Sequence, residues 1–413
     1  MNKNLYIKAN VLPTVLVLTV IMLMLVLGII NVWGNFSLFR YRTYYNKAQR
    51  SFIESGFILY NNSPGLLLQL NRDSSFVLFE GNDLSQIFIN CRQWGLYEII
   101  TISNHDKTIS ETRMIGLKPE QPPYTLYYSG NNSPLFLAGN TTIEGYIKLP
   151  PNGFKYTQLQ SRFFSGKEID ISKAGTSEKE LPVPGKKLIE YLDSLLVLQQ
   201  TISETTGFSD SLINKFRRPQ TVIIATQKEV LKNRLLKGNI LLLADELKIE
   251  ASAQLEDILI VANKIVVEDG FKGAVQLLAK DSVILKKNVT LLYPSGIYLY
   301  PDNSKRYISL SDSCNVQGYV IIGGNEEVNA TNANYVQSIN SAVRGLLYVN
   351  GIAQLQGTVT GIVILKQAVF YSKEGYYDNT LLDATVKDSC VLTNPLWLYG
   401  NKFHLKKEVK WLR

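Results

Sequence analysis

The sequence predicts a mainly β protein: an N-terminal transmembrane helix with a stalk, then a parallel β-helix (solenoid) that carries a helical insertion. Three observations lead there. No charged residue stands between Ala9 and Phe39, and the stretch from Val11 to Trp33 is long enough to cross a hydrocarbon core of about 30 Å as a helix. Far downstream, the phrases "LLLADELKIEAS" (241–252), "LIVANKIVVEDG" (259–270) and "LLAKDSVILKKN" (277–288) begin 18 residues apart, and a fixed period of this size marks stacked repeating units. Between the two, "GKKLIEYLDSLLVLQQTISE" sets Leu188, Leu192, Leu195 and Leu196 on one helical face behind the breaker "PVPG".

Composition narrows the classes of function. The chain has 413 residues and a net charge of +8, but its basic residues are scattered, with no long Lys/Arg run or arginine-rich arm, so nucleic acid is not an expected partner. Cys91, Cys314 and Cys390 lie far apart without CxxC spacing, which indicates neither a zinc site nor a dense disulfide framework. One pair with a thiol left over is open; three buried small hydrophobes is the preferred state. His105 and His404 sit among charged neighbours and read as solvated loop residues. No HExxH, GxSxG, GxGxxG or Walker-type loop occurs. The expectation is a protein that is not an enzyme, with no catalytic, cofactor-binding or metal-binding residues and no cofactor.

Taken in order, residues 1–10 form a short basic leader with Lys3 and Lys8, residues 11–33 the transmembrane helix, which makes the lipid bilayer a partner, and residues 34–60 a helical stalk. A cleaved signal peptide fits less well, because its apolar region runs to only about 7–15 residues and "WGNFSLFRYR" offers no small-x-small cleavage site. In the stalk, "FRYRTYYNKAQRSFIESGF" holds no proline, and Tyr41, Tyr45, Ala48 and Phe52 recur at spacings of four, three and four, one apolar helical face. This segment resembles the amino terminus of type IV pilin-like and minor-pseudopilin-like proteins, which implies a component of a pilin-like or secretion-like apparatus. It differs from them in having "IKANVLP" where they carry a Gly-Phe processing site, and no glutamate near the start of the apolar run.

Residues 61–133, with "GLLLQL", "SFVLFE" and "LYEIITIS", read as a small β-rich lead-in, and 134–154, with "IEGYIKLP", as a first coil. Residues 155–218 are a more polar insertion whose helix packs against the β-helix in preference to a partner. Residues 219–380 are the β-helix proper. Each 18-residue unit holds two runs of about four apolar residues rich in Val and Ile, too short for helices and suited to strands. In "GLLYVNGIAQLQGTVTGIVIL", Gly345, Gly351 and Gly357 are six apart, so three faces make one coil, with glycine at corners that need positive φ. Residues 381–413 are a basic C-terminal tail; "NKFHLKKEVKWLR" suits a half-exposed last strand, with binding to anionic lipid as the second reading. The coils, over 236–300 and 315–370, resemble the core of bactofilins and related polymer-forming proteins. The whole looks like uncharacterised envelope proteins of Bacteroidetes-type bacteria.

A β-helix can hold paired carboxylates for polysaccharide cleavage, which requires two carboxyls at about 5 Å or 6.5–9.5 Å across a groove. Asp245, Glu246, Glu250, Glu256, Asp257, Glu268, Asp269 and Asp281 were the acids to weigh, and Glu250 with Glu268, 18 apart, the pair a stack would bring together. Most fall at polar turns expected of a solvated rim. The leading expectation is therefore a non-enzymatic, membrane-anchored structural or assembly protein with protein partners or self-assembly. The alternatives are a polysaccharide-binding or polysaccharide-cleaving β-helix and a cytoplasmic bactofilin-like scaffold. Arg40, Arg42, Lys47 and Arg50 after the span favour a cytoplasmic domain by charge count; the short leader and projecting helix favour export. The sequence is read as an inner-membrane, single-pass protein with its large domain periplasmic.

Overall fold

The structure, a computed structural model, describes residues 11–62, 73–118, 124–201, 210–225, 228–301, 306–324, 333–388, 392–398 and 405–412. The leader 1–10, Cys390 and His404 lie outside them. Helix α1, Val11–Asn62, runs unbroken for 52 residues, about 78 Å at 1.5 Å per residue. Pro13 sits in its first turn, where a missing N–H costs no internal hydrogen bond. From Val11 to Phe39 its large apolar side chains are exposed on every face, the pattern of a helix surrounded by lipid. It is long and apolar enough to span a membrane. Past Arg40 the pattern becomes one-sided: Tyr45, Ala48 and Phe52 are half-buried, while Tyr41 stays exposed.

Two compact units divide the chain. In the first, residues 1–57, 75–88 and 103–110, α1 packs on loop and strand-tip residues. The Phe52 and Phe79 rings lie 5.9 Å apart, Gln49 Nε2 donates to Leu84 O at 3.2 Å, and Tyr45 donates to Asp106 at 3.4 Å.

The second unit, residues 58–74, 89–102 and 111–413, is mainly β. Most of its parallel strands join in one closed sheet, and three more form a separate small sheet. Ile240–Ile249, Gln254–Val267 and Lys272–Leu285 pair side by side so that Leu242 lies beside Ile260 and Ile260 beside Leu277. The spacing is thus the period of the sequence: Ala244, Ala262 and Ala279 stand in one row. Along each strand, alternate residues enter different cores. Leu242, Ala244, Ile260, Ala262 and Leu277 belong to the interior cluster; Leu241, Leu243, Leu259, Val261 and Leu278 belong to a second cluster on the opposite face. A parallel strand buried on both faces reads as a continuous apolar run rather than an alternating one, which is why these phrases are so uniformly aliphatic.

The opposite face is covered from two sides. Helix α2, Lys186–Thr201, buries Leu188, Leu192 and Leu195 in that second cluster, as do Trp94, Leu96, Tyr97, Met114 and Leu412. The strands that carry them belong to a five-stranded sheet whose last member, Lys406–Leu412, pairs antiparallel with Ser110–Leu117.

Two features of the ladder depend on long-range connections. Tyr124–Tyr128 pairs parallel with Val363–Leu365 and then with Tyr146–Leu149, which pairs with Ala174–Thr176. The stretch 134–154 therefore stacks beyond the last regular strand, Gly357–Ser372, and not ahead of the first. The second feature is a row of glycines: Gly318, Gly345 and Gly361 stand in register with φ of 137°, 125° and 138°. A Cβ on Gly345 would meet Gly318 O at 2.0 Å. Gly345→Ala is accordingly expected to cost about 2 kcal/mol from backbone strain and the displaced carbonyl. Urea denaturation of the detergent-solubilised chain measures it, and an unchanged midpoint would refute the close approach.

Candidate functional site

The acids weighed above are held mostly by lysines of neighbouring strands. Glu246 faces Lys228 at 3.7 Å and Glu250 faces Lys232 at 3.6 Å. Glu256 pairs with Lys237 at 2.6 Å. Glu268 lies between Lys286 at 2.7 Å and Lys248 at 3.1 Å. Asp245 accepts from Asn263 Nδ2 at 2.5 Å, and Asp269 from the Lys287 N–H at 2.8 Å. Parallel stacking brings residues 18 apart to adjacent positions, so a lysine over a glutamate relieves the repulsion that stacked like charges would bring. Hydrogen bonds from Lys286 first, then Lys248, hold the Glu268 carboxyl below its ordinary range. A general acid needs the reverse shift, so Glu268 is unsuited to that role.

Glu256 and Asp257 come closer to that requirement, since their environments push them apart. The Lys237 hydrogen bond chiefly lowers Glu256, and burial raises Asp257. The space between them is occupied from within. Lys410 of the last strand reaches Asp257 Oδ2 at 2.7 Å and Glu256 Oε1 at 3.2 Å, closing the pair to a substrate.

Aromatic residues line the flank that a polysaccharide would need. Tyr298, Tyr300, Tyr319 and Tyr348 all belong to the outer cluster and are buried. Tyr300 OH donates to Leu192 O of α2 at 2.8 Å, Tyr348 OH to Pro182 O at 3.1 Å, and Tyr319 OH to Gln276 Oε1 at 2.7 Å. Trp397 packs edge-on against Tyr348 at 5.4 Å. Burial pushes the phenols of Tyr298, Tyr300, Tyr319 and Tyr348 upward. Tyr300 and Tyr348 therefore fasten the covering segments, and the four buried rings present no stacking platform.

One cleft lies where α2 ends, with a volume of about 270 Å³, between Gln199, Ile224, Leu243, Ala244 and Asn263. Gln199 Nε2 donates to Ala244 O at 2.9 Å and Asn263 Nδ2 to Asp245, while Gln199 Oε1 and Asn263 Oδ1 are buried without a hydrogen-bond partner. The cleft falls just under the roughly 300–1,000 Å³ usual for small-molecule sites.

A fourth cluster joins residues that stand far apart along the chain. Tyr60 OH donates to Glu98 Oε2 at 2.9 Å and lies 3.3 Å from Cys91 Sγ. Lys406 Nζ pairs with the same Glu98 oxygen and donates to Tyr60 OH at 3.0 Å, sitting 4.7 Å above its ring. Lys406 and Lys410 are both in internal ion pairs, which tie the last strand to residues far back in the chain. Burial first, then the Glu98 charge, raises the Cys91 thiol to about 11. A thiol at that value holds about a hundredth of the thiolate of an ordinary cysteine at pH 8. Cys91 should therefore alkylate with a maleimide about 100-fold more slowly in the native chain than after denaturation, as read by peptide mass mapping. Equal rates would mean that the cluster is open.

His105 lies in a turn, half-buried, its ring edge-on to Tyr45 at 6.5 Å. Cys314 is buried and free, as Cys91 is free. Among the described residues no group of three His, Cys, Asp or Glu could hold a metal ion. Tyr298 and Tyr300 had a sequence signal in the alternation of "YPSGIYLY"; Lys406 and Lys410 had none, since their partners lie 308 and 153 residues away. No protein-family model, no curated protein and no solved structure matches this chain.

Proposed function

We propose that this chain is a non-enzymatic, single-pass protein of a bacterial cell envelope, held in the inner membrane by residues 11–33. Its β-rich domain is a β-helix serving as a structural or assembly module on the extracytoplasmic side, within a pilin-like or secretion-like apparatus. The β-helix reading is supported by parallel pairing at the sequence period, with alanines stacked on alanines and glycines on glycines. The observation that carries the structural role is the use made of the reactive groups. The coil acids are tied to lysines and amides, and the aromatic flank lies beneath α2 and Trp397. Polysaccharide chemistry has no support of comparable weight.

Fractionation tests the anchor, and protease tests the side. The full chain should stay with salt-washed membranes, and deletion of residues 1–34 should release a soluble protein. In cells with the outer envelope opened and the inner membrane intact, added protease should degrade the domain while cytoplasmic controls survive. Protection until detergent is added would reverse the sidedness in favour of a cytoplasmic scaffold, the reading that Arg40, Arg42, Lys47 and Arg50 favour.

A further inference from the structure

The uncharged run is longer than a bilayer requires, and its polar residues are not spread evenly. From Ala9 to Phe39 there are 31 residues, of which about 20 suffice to cross the hydrocarbon. Centring them in the run leaves Asn31 inside the boundary and Asn35 one or two residues beyond it. Thr19 satisfies its hydroxyl within the helix by donating to Leu16 O at 2.8 Å. The asparagines do so only in part. Asn35 Nδ2 donates to Asn31 Oδ1 at 3.0 Å, and an amide offers two donor hydrogens and an oxygen with two lone pairs. One bond therefore leaves donor capacity on Asn31 Nδ2 and acceptor capacity on Asn35 Oδ1, on a helix surface exposed along its whole span. Acyl chains cannot supply the acceptor that Asn31 Nδ2 needs.

The same face has a place for a close neighbour. Gly28, Asn31 and Asn35 follow at steps of three and four, in phase with Val17, Ile21 and Met24 before them, the spacing of one seam along a helix. A Cβ on Gly28 would meet nothing within 4 Å, so the backbone is bare at the turn next to the amides, and small residues are what allow membrane helices to approach closely. We infer that two copies of this chain associate in parallel through the Gly28–Asn31–Asn35 face of α1. Asn31 Nδ2 of each copy donates to Asn35 Oδ1 of the other. The face is self-complementary, as a two-fold contact requires: each copy offers the acceptor that the other's free donor needs. A second copy anchored in the same membrane is already held in the parallel orientation. This inference rests on the membrane reading of residues 11–33 and gives the self-assembly of the proposed function a surface.

The test is disulfide trapping in native membranes, with Cys91, Cys314 and Cys390 replaced by Ser in an otherwise full-length chain. Met24→Cys, on the seam, should give a doublet of twice the chain mass under mild oxidation; Val26→Cys, on the opposite face, should not. Adding Asn31→Leu and Asn35→Leu to Met24→Cys should lower the doublet about tenfold, in keeping with roughly 1–2 kcal/mol for interhelical amide bonds. Glutamine at both positions should retain it. Sedimentation of the cysteine-intact chain in detergent gives a readout independent of the serine replacements, a dimer for the native sequence and a monomer for the double leucine variant. Equal trapping at positions 24 and 26, a doublet indifferent to the leucines, or a product carrying the mass of a different protein would each overturn the second-copy contact. If the native chain washes off membranes, the anchor reading fails and this inference falls with it. Full membrane retention without any doublet sinks this inference alone.

Discussion

Ile260→Asp should prevent stable folding of the β domain, with a loss of at least about 4 kcal/mol, because an unpaired carboxylate enters a dry apolar stack. Ile260 is fully buried between Leu242 and Leu277 in the interior cluster. Neither register neighbour offers a hydrogen bond, and protonating the acid to escape the charge still leaves a buried hydroxyl. Lys264→Gln, four residues along the same strand, is the control. Lys264 is half-exposed and lies beside Glu246 and Ser282, so its loss should change stability by less than about 0.5 kcal/mol. Circular dichroism and denaturant titration of the two purified variants settle the matter. Equal stability would show that Ile260 is not enclosed in an apolar stack.

Lys406→Met should cost about 3 kcal/mol, because removing one member of a buried ion pair leaves the other uncompensated. The side chains of Lys406 and Glu98 are only 5% and 17% exposed, and Tyr60 OH, already a donor to Glu98, cannot supply a charge. The double variant Lys406→Met/Glu98→Leu should regain most of the loss, since replacing both ions with apolar groups is often close to neutral. A double variant no more stable than Lys406→Met alone would show that the lysine matters through packing and not through its charge. Comparing urea midpoints of the four chains provides the cycle.

The parts of the fold that sequence discloses are those in which one position constrains its neighbours directly. Parallel pairing places a residue beside its counterpart one period away, so Ala244, Ala262 and Ala279 repeat in sequence because they touch in space. In α2, the run Leu188, Leu192, Leu195 is legible for the same reason, one turn apart on one face. Leu196, counted with them, is only half-buried, since a stripe read at steps of three and four leaves its width open. What stayed hidden needs knowledge of which segments meet. Leu241 and Leu242 look alike in the chain, yet one faces α2 and the sheet while the other fills the interior. The acids of the coils were recognisable as rim residues, but the closing of Glu256 and Asp257 by Lys410 depends on a strand that returns 153 residues later.

The pairing of Tyr124–Tyr128 with Val363–Leu365 also fixes an order of events during synthesis. Leu126 and Val363 are 237 residues apart by this register, an interval of roughly 10–50 s at about 5–20 residues per second of translation. For that time the early strand has no β partner on its Val363 side, and the regular strands can add one upon another only as they emerge. Contacts of such sequence separation slow folding and lengthen the exposure of unpaired edges. The domain is thus ill suited to finishing its fold segment by segment from the amino end. Its final step is the capture of residues made early by residues made late, and a ribosome stalled before Val363 would hold a chain whose β structure cannot be completed.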